Sequence, residues 1–351
     1  MNPIIRHAVV LVVAITFNLQ TTAQAQYLDQ IGVTILRATT TNLNGAGIRV
    51  AQPEAQLSTN PPTWEVNPAV VSQPTNLFTY ISSAGSSTNY TNSLGVASSH
   101  AGDVGKIFYG MPGGVATNLA HVDNYLADDF YNDVIGAVLP PDINDRVVNQ
   151  SFIFGSVPSQ VTVAQQQAID SDYDNYAAKY KTLFVSGAGN GGSVCPPATC
   201  YNGLGVAAYG GASSVGPTVD NGRAKPDITA PAGATSYSTP QVAGAAAVLM
   251  QAALRGGGGS DTNSAADIRT VKALLLNGAV KPTNWVNSSI SPLDTRYGAG
   301  VLNVFNSYEQ LAGGKRNYIE NTTVSTGCRR SRQHRRIERV GLQHQFQRQQ
   351  F

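Results

Sequence analysis

Gly233-Ala234-Thr235-Ser236-Tyr237-Ser238-Thr239-Pro240-Gln241-Val242-Ala243-Gly244 leads from small and hydroxylated residues through a proline into an apolar segment that reaches about Leu254. The apolar segment predicts a buried helix, and Ser236 then falls at its N-terminus. Helix N-termini carry unpaired backbone N–H groups and the positive end of the helix dipole, and both favour developing negative charge. A serine that attacks an acyl group needs that environment, because charge collects on the carbonyl oxygen under attack.

The rest of the chain suits an exported, loop-rich globular protein. Its 351 residues are enough for one large domain or two small ones, and only 13% are charged. The net charge of +2 misleads, because seven arginines fall between Arg329 and Arg348. Without them the chain is slightly acidic, and nothing before that segment forms a basic patch for nucleic acid. Arg6 and His7 precede an apolar run over 8–17, and Ala23-Gln24-Ala25 supplies small residues for cleavage. This predicts a signal peptide over 1–25 and a secreted, periplasmic or cell-surface location. The run is too short to cross a bilayer, so no membrane span is expected in the mature chain. Of the three cysteines, Cys195 and Cys200 lie close together in a Pro-rich loop. Oxidising conditions outside the cell make a small-loop disulfide the expected state, with free thiols or an isolated metal pair as the alternatives; no third and fourth ligand lie nearby, so no zinc is expected. After a linker-like stretch over 313–327, residues 328–351 turn abruptly to Arg, Gln and His. A basic tail is one reading. A reading-frame error or artificial end, replacing a natural C-terminal region, is the simpler one.

Strand-like runs over 47–51, 118–125, 146–152, 182–188 and 204–209 alternate with helical patterns. One helix is expected from a cap at Ser159 to Tyr180, a second through the Ser236 region, and a third over 265–277. Strands alternating with helices predict an α/β fold of three layers, a mostly parallel central sheet with helices on both faces.

A serine nucleophile needs a base within hydrogen-bond reach and a third group that orients the base. Histidine is the usual base. Of five histidines, His7 lies in the expected signal peptide, and His334 and His344 lie in the Arg-rich tail. His121 sits in the apolar run Leu119-Ala120-His121-Val122 and reads as structural. His100 remains, in Ser98-Ser99-His100-Ala101-Gly102-Asp103-Val104-Gly105, where small residues let a following helix pack closely. Upstream, Gly45-Ala46-Gly47-Ile48-Arg49-Val50-Ala51-Gln52-Pro53-Glu54 ends in a carboxylate. Downstream, Thr182-Leu183-Phe184-Val185-Ser186-Gly187-Ala188-Gly189-Asn190 is a strand ending in small residues and a side-chain amide.

Together with the Ser236 segment, these stretches resemble the motifs of subtilisin-like serine peptidases (subtilases). The segment around Ser236 is similar to Gly-Thr-Ser-Met-Ala-Ser-Pro-x-Val-Ala-Gly, and that around His100 to Ser-His-Gly-Thr-x-Val-Ala-Gly. The run ending at Glu54 resembles Gly-x-Gly-Val-x-Val-Ala-Val-Ile-Asp position for position, with Glu54 where the family has Asp. The run ending at Asn190 is similar to the family's Ala-Ala-Gly-Asn. Lys225-Pro226-Asp227-Ile228-Thr229-Ala230-Pro231 and Tyr297-Gly298-Ala299-Gly300-Val301-Leu302-Asn303 resemble two further family stretches. Glu54, His100 and Ser236 follow the family's order.

The resemblance covers about 27–311 and implies a subtilisin-like peptidase domain over 26–312, acting as an exported serine endopeptidase. It implies Ser236 as nucleophile, His100 as base, Glu54 as the acid that orients it, and Asn190 with the Ser236 N–H as oxyanion donors. It implies that Ser151 and Phe152 border the primary substrate pocket, with Gly187, Ala188 and Gly189 as the opposite wall. Polypeptide substrates, a monomer and no cofactor are expected, and no Asp/Glu cluster has convincing calcium-ligand spacing. Gly187-x-Gly189-x-x-Gly192 matches a dinucleotide fingerprint in letter, but such a fingerprint opens a helix, and Cys195-Pro196-Pro197 blocks one. The changes at Glu54, Ala101-Gly102 and Ala234 keep a second reading open, a catalytically inactive subtilase-like binding or surface protein. An esterase or peptide ligase on the same scaffold is a third.

Overall fold

A computed structural model of the chain describes residues 26–288 and 291–313. The expected signal peptide and the Arg-rich tail, with Cys328, lie outside the described residues. Ten strands are described: β1 (Arg49–Glu54), β2 (Thr63–Glu65), β3 (Phe78–Ser82), β4 (Gly85–Ser87), β5 (Val96–Ala97), β6 (His121–Leu126), β7 (Val147–Gln150), β8 (Leu183–Gly187), β9 (Leu204–Tyr209) and β10 (Ile228–Pro231). Eight of them form one sheet in the order β10-β9-β8-β7-β1-β6-β3-β4. Every pairing in it is parallel except β3 with β4. β2 and β5 form a separate parallel pair ahead of His100. The helices that matter here are α1 (Val33–Thr39), α2 (Ser99–Phe108), α3 (Val163–Tyr180), α4 (Thr235–Leu254), α5 (Ile268–Gly278) and α6 (Val304–Gly313).

Both faces of the sheet are covered, and β8 shows how. Successive side chains of a strand point to opposite faces. Phe184 meets the rings of Tyr173 and Tyr176 on α3. Gly187, on the opposite face, lies so close to α4 that a Cβ there would stand 3.2 Å from the hydroxyls of Thr235 and Thr239. A strand sandwiched between two helical layers must be apolar throughout, and all five β8 residues are buried. The same logic makes α4 apolar all round, buried almost continuously from Ser238 to Ala253. Its small residues permit close approach to α2, the helix that carries His100.

Several boundaries move from the sequence expectation. α3 is capped by Thr162, not Ser159: Thr162 Oγ1 accepts from the Gln165 N–H at 3.2 Å, and Gln165 reaches back to the Thr162 N–H at 2.9 Å. This reciprocal pair closes the helix at Thr162, and Ser159 falls in the preceding turn. The helix expected over 265–277 is two: a short turn over Thr262–Ala265, then α5, whose start Asp267 caps by accepting from the Arg269 N–H at 2.9 Å. β1 runs to Glu54, three residues beyond the expected end at Ala51.

That last difference positions the site. β1 pairs with β6 along its whole length, from Arg49 to Glu54, but with β7 only at Val50 and Ala51. Beyond Ala51 the neighbours separate, and proline is tolerated where a ladder ends. The chain order also reverses here: β3 and β6 lie to one side of β1, and β7 to β10 to the other. In open α/β sheets, ligands bind outside the carboxyl ends of the strands at such a reversal. Among the described residues, no helix is long and apolar enough to cross a membrane.

The packing of α4 makes a direct prediction. A Cβ at Gly244 would lie 2.6 Å from Val115 Cβ, too close without a shift of the helix. Gly244→Ala gains about 1 kcal/mol of helix propensity but overpacks the site by about 1–3 kcal/mol. Urea unfolding is therefore expected to show a net loss of stability. A gain would contradict the close α4 packing.

Candidate active site

Glu54 is the last residue of β1 and is 1% exposed. A buried carboxylate must have its lone pairs engaged, and both oxygens are. Oε2 accepts from His100 Nδ1 at 2.8 Å, and Oε1 accepts from Gln52 Nε2 at 2.8 Å. The carboxylate therefore lies inside the protein, with both oxygens engaged. His100 is the second residue of α2, whose N-cap Ser98 accepts the Ala101 N–H at 3.2 Å. Because the carboxylate accepts, Nδ1 carries the imidazole proton and Nε2 presents its lone pair. The hydrogen bond to Glu54 pushes the His100 pKa above its ordinary 6.5, against the opposing effect of burial; the charges of Glu54 and Asp103 add to the rise.

Ser236 is the second residue of α4. The helix follows β10, so the Lys225–Pro231 stretch delivers Ser236 to the carboxyl edge of the sheet. The N-cap position is Ala234, which has no side-chain acceptor. Asn190, just past β8, supplies one: its Oδ1 accepts from the Thr235 N–H at 2.8 Å and from the Thr235 hydroxyl at 2.9 Å. With Oδ1 occupied, the amide orientation is set and Nδ2 is left as a donor. Among the described residues, neither Asn190 Nδ2 nor the Ser236 N–H has an acceptor.

Ser151, one residue past β7, clamps this turn. Its hydroxyl donates to Ser236 O at 2.9 Å and accepts from Asn149 Nδ2 at 3.1 Å. The Ser236 hydroxyl donates to Ser151 O, at a long 3.4 Å. No hydrogen bond joins His100 to Ser236 among the described residues. Their helices pack together, and the imidazole lies 6.2 Å, centroid to centroid, from the ring of Tyr237, the residue after Ser236. The expected acid and base are therefore joined, and the expected nucleophile and amide stand at the same sheet edge. The final base-to-nucleophile bond is not formed.

The expected pocket walls divide. Ser151 is buried, and Phe152 is half-buried with its ring edge-on to Phe154 at 5.8 Å. Gly187 faces α4. Ala188 packs into a small buried cluster with Val194 and Ala198. Its N–H donates to Val206 O at 2.9 Å, and its carbonyl accepts from Cys195 N at 3.0 Å. Ala188 is thus fully buried among these residues. Gly189, at φ 102°, adopts a backbone that favours glycine, with Ser214 directly behind it.

Cys195 and Cys200 do not pair; both thiols are free and buried. Cys195 Sγ contacts Ser193 O at 3.3 Å, and Cys200 belongs to the main core. Sequence proximity brought the residues near each other, but packing sends their side chains to different places, and burial pushes the Cys200 thiol up to about 12. His121 has other partners: its Nε2 lies 2.8 Å from Thr79 Oγ1 and 3.2 Å from Asp123 Oδ1. It lies opposite Arg49 in the ladder, whereas Leu126 lies opposite Glu54. Five residues of strand, about 16 Å at ~3.3 Å per residue, separate it from the site. Gln52 and Tyr109 were not singled out by the sequence reading, yet they extend the Glu54 network: the Tyr109 hydroxyl donates to Gln52 Oε1 at 2.6 Å. The signal available was the i, i+2 spacing of Gln52 and Glu54, which puts both on one strand face.

The model of the subtilase family, peptidase S8, matches residues 84–300. No curated protein sequence matches the chain. Similar solved structures include the prenylagaramide maturation protease PagA, at 19% identity and a TM-score of 0.52, covering 80% of this chain and 98% of that one. A protease from Pseudoalteromonas arctica gives 20% identity and a TM-score of 0.53, with 82% of this chain and 97% of that one covered. At these identities the structures establish a shared fold. With the family match spanning more than half its length, the chain belongs to the subtilase family of serine-type endopeptidases.

Proposed function

We propose that the protein is an exported endopeptidase that cleaves polypeptides through an acyl-enzyme on Ser236. The observation that carries this is the buried Glu54–His100 hydrogen bond, which presents imidazole Nε2 beside the N-terminal turn bearing Ser236. On substrate binding, the Ser236 hydroxyl leaves the Ser151 carbonyl and turns to His100. Its proton passes to Nε2 as Oγ attacks the scissile carbonyl carbon. The imidazolium is stabilised by Glu54 through the Nδ1–H, and the oxyanion accepts from Asn190 Nδ2 and the Ser236 N–H. Collapse breaks the C–N bond, and the imidazolium protonates the leaving amine. Water, deprotonated by His100, then attacks the acyl carbon, and as the bond to Ser236 Oγ breaks the imidazolium returns the proton to Oγ, releasing the acid.

The long Ser236–Ser151 contact favours a second reading, a chain that binds polypeptide without cleaving it. Labelling with a fluorophosphonate probe separates the two. An activated Ser236 is expected to label, and Ser236→Ala to abolish labelling. Folded protein that does not label would support the binding reading. Export rests on the N-terminal signal pattern, and N-terminal sequencing of secreted protein should begin near Gln26.

Asn190 has two jobs that substitution can separate. Asn190→Ala removes both, so stability should fall by about 1 kcal/mol as the Thr235 N–H loses its cap. Its kcat should fall by about 10²–10³, the magnitude known for the equivalent donor of subtilisin. Asn190→Asp keeps an acceptor for Thr235 but has no donor for the oxyanion. It should hold stability and lose kcat at least as far. Retained kcat would remove Asn190 from the oxyanion site.

The pH dependence follows from His100. As a base it must be neutral, so kcat/KM should rise with pH through a pKa above 6.5. Glu54→Gln removes the largest effect that raises it, the hydrogen bond, together with the Glu54 charge, leaving burial opposed only by the Asp103 charge, so the acid limb should move to lower pH. kcat should fall by up to about 10⁴, as when other triad acids become amides. The stability the charged pair contributes is full below about 6.5 and is lost as pH rises through the raised folded value. An unmoved acid limb in Glu54→Gln would show that another group holds His100.

A further inference from the structure

We propose that Gln52 is a positioning residue whose side-chain amide locks the Glu54 carboxylate to the helix turn that carries His100, with Tyr109 reinforcing the amide's orientation. This rests on the peptidase reading of Glu54, His100 and Ser236, and it goes beyond it by assigning what lets a glutamate serve as the acid.

The amide is fully used. One Nε2 hydrogen goes to Glu54 Oε1 at 2.8 Å, and the other to the backbone carbonyl of Ala101 at 3.0 Å. Gln52 Oε1 accepts the Tyr109 hydroxyl at 2.6 Å. Ala101 immediately follows His100. A single planar group therefore spans the acid and the backbone of the base, and sets the gap between them. The reversed amide would turn its oxygen toward a carboxylate and a carbonyl, both acceptors, and its NH₂ toward the phenol. The two acceptors on one side select the working orientation, and the Tyr109 O–H, which would lose its acceptor in the reversed one, reinforces it. Gly105 makes room for that hydroxyl, since a Cβ there would stand 2.9 Å from Tyr109 Oη.

Gln52 and Tyr109 are both fully buried. A buried amide is costly unless its hydrogen bonds are made, and an apolar residue of similar size would carry no such penalty. The motif that β1 resembles has Val at this place and Asp two residues later. In this chain both positions differ together, Gln52 with Glu54. Glutamate carries one more methylene and one more rotatable bond than aspartate, so its carboxylate has more ways to swing off the imidazole. A donor aimed at its second oxygen, rooted two residues back on the same strand face, removes that freedom.

A double-mutant cycle on the full chain tests this, read as the rate of inactivation by a fluorophosphonate probe, with kinact separated from KI. Gln52→Val should lower kinact by about tenfold to a hundredfold, the worth of a hydrogen bond to a charged group, with KI little changed. In a Glu54→Ala background the same substitution should cost nothing more, because Gln52 acts through Glu54. Should Gln52→Val fail to fold by circular dichroism, Tyr109→Phe enters the same cycle, with an expected loss of about threefold to tenfold. An unchanged kinact, or an equal loss in both backgrounds, would overturn the proposal. Wild-type protein that does not label at all would instead overturn the peptidase reading.

Discussion

A carboxylate buried at the end of a central strand constrains everything around it. Glu54 cannot be left unpaired without a large desolvation cost, and the partners that satisfy it are His100 and Gln52. His100 can reach it only if α2 begins where it does, so the Ser98 cap and the small residues of its first two turns matter to the site. α2 in turn rests on α4, whose second residue is Ser236. One hydrogen bond thus sets the register of a strand against a helix, and that helix sets the place of the next.

The sheet provides the space for this. Parallel strands end together at one edge, and helices that follow them begin there with unpaired N–H groups. Where β1 and β7 part after Ala51, the edge opens. Glu54 stands on one side of the opening, while Ser151 and Asn190 follow the strands on the other. Asn190 also shows how one side chain can serve fold and site at once, since capping Thr235 fixes which of its atoms faces outward. The free Ser236 N–H has a similar origin, because it lies too early in the helix to find a carbonyl behind it.

Much of this was legible in the sequence, and the failures have physical causes. The parallel sheet and the buried α4 followed from periodicity, and the motifs led to the joined pair Glu54–His100 and to Asn190 beside the turn that bears Ser236. The strand-like pattern ends at Ala51, yet the chain stays paired with β6 through Pro53 to Glu54, because β7 has parted and leaves that side of the ladder open. The pairs β2–β5 and β3–β4 went unseen because β2, β4 and β5 are only two or three residues long, and β3 takes its place from its distant partner β6. The Cys195–Cys200 disulfide failed because spacing along the chain says nothing of side-chain direction. The Tyr109–Gln52 contact joins residues 57 apart, and no local pattern announces it.

The central claim is that Ser236, His100 and Asn190 act on one carbonyl carbon. A crystal structure of the protein after reaction with a peptidyl phosphonate tests it most directly. The expected adduct has Ser236 Oγ bonded to phosphorus and moved away from the Ser151 carbonyl. One phosphonyl oxygen should lie about 2.7–3.1 Å from both Asn190 Nδ2 and the Ser236 N–H, with His100 Nε2 within hydrogen-bond reach of Oγ. An adduct whose oxygen points away from Asn190, or with His100 still out of reach of Oγ, would contradict the claim.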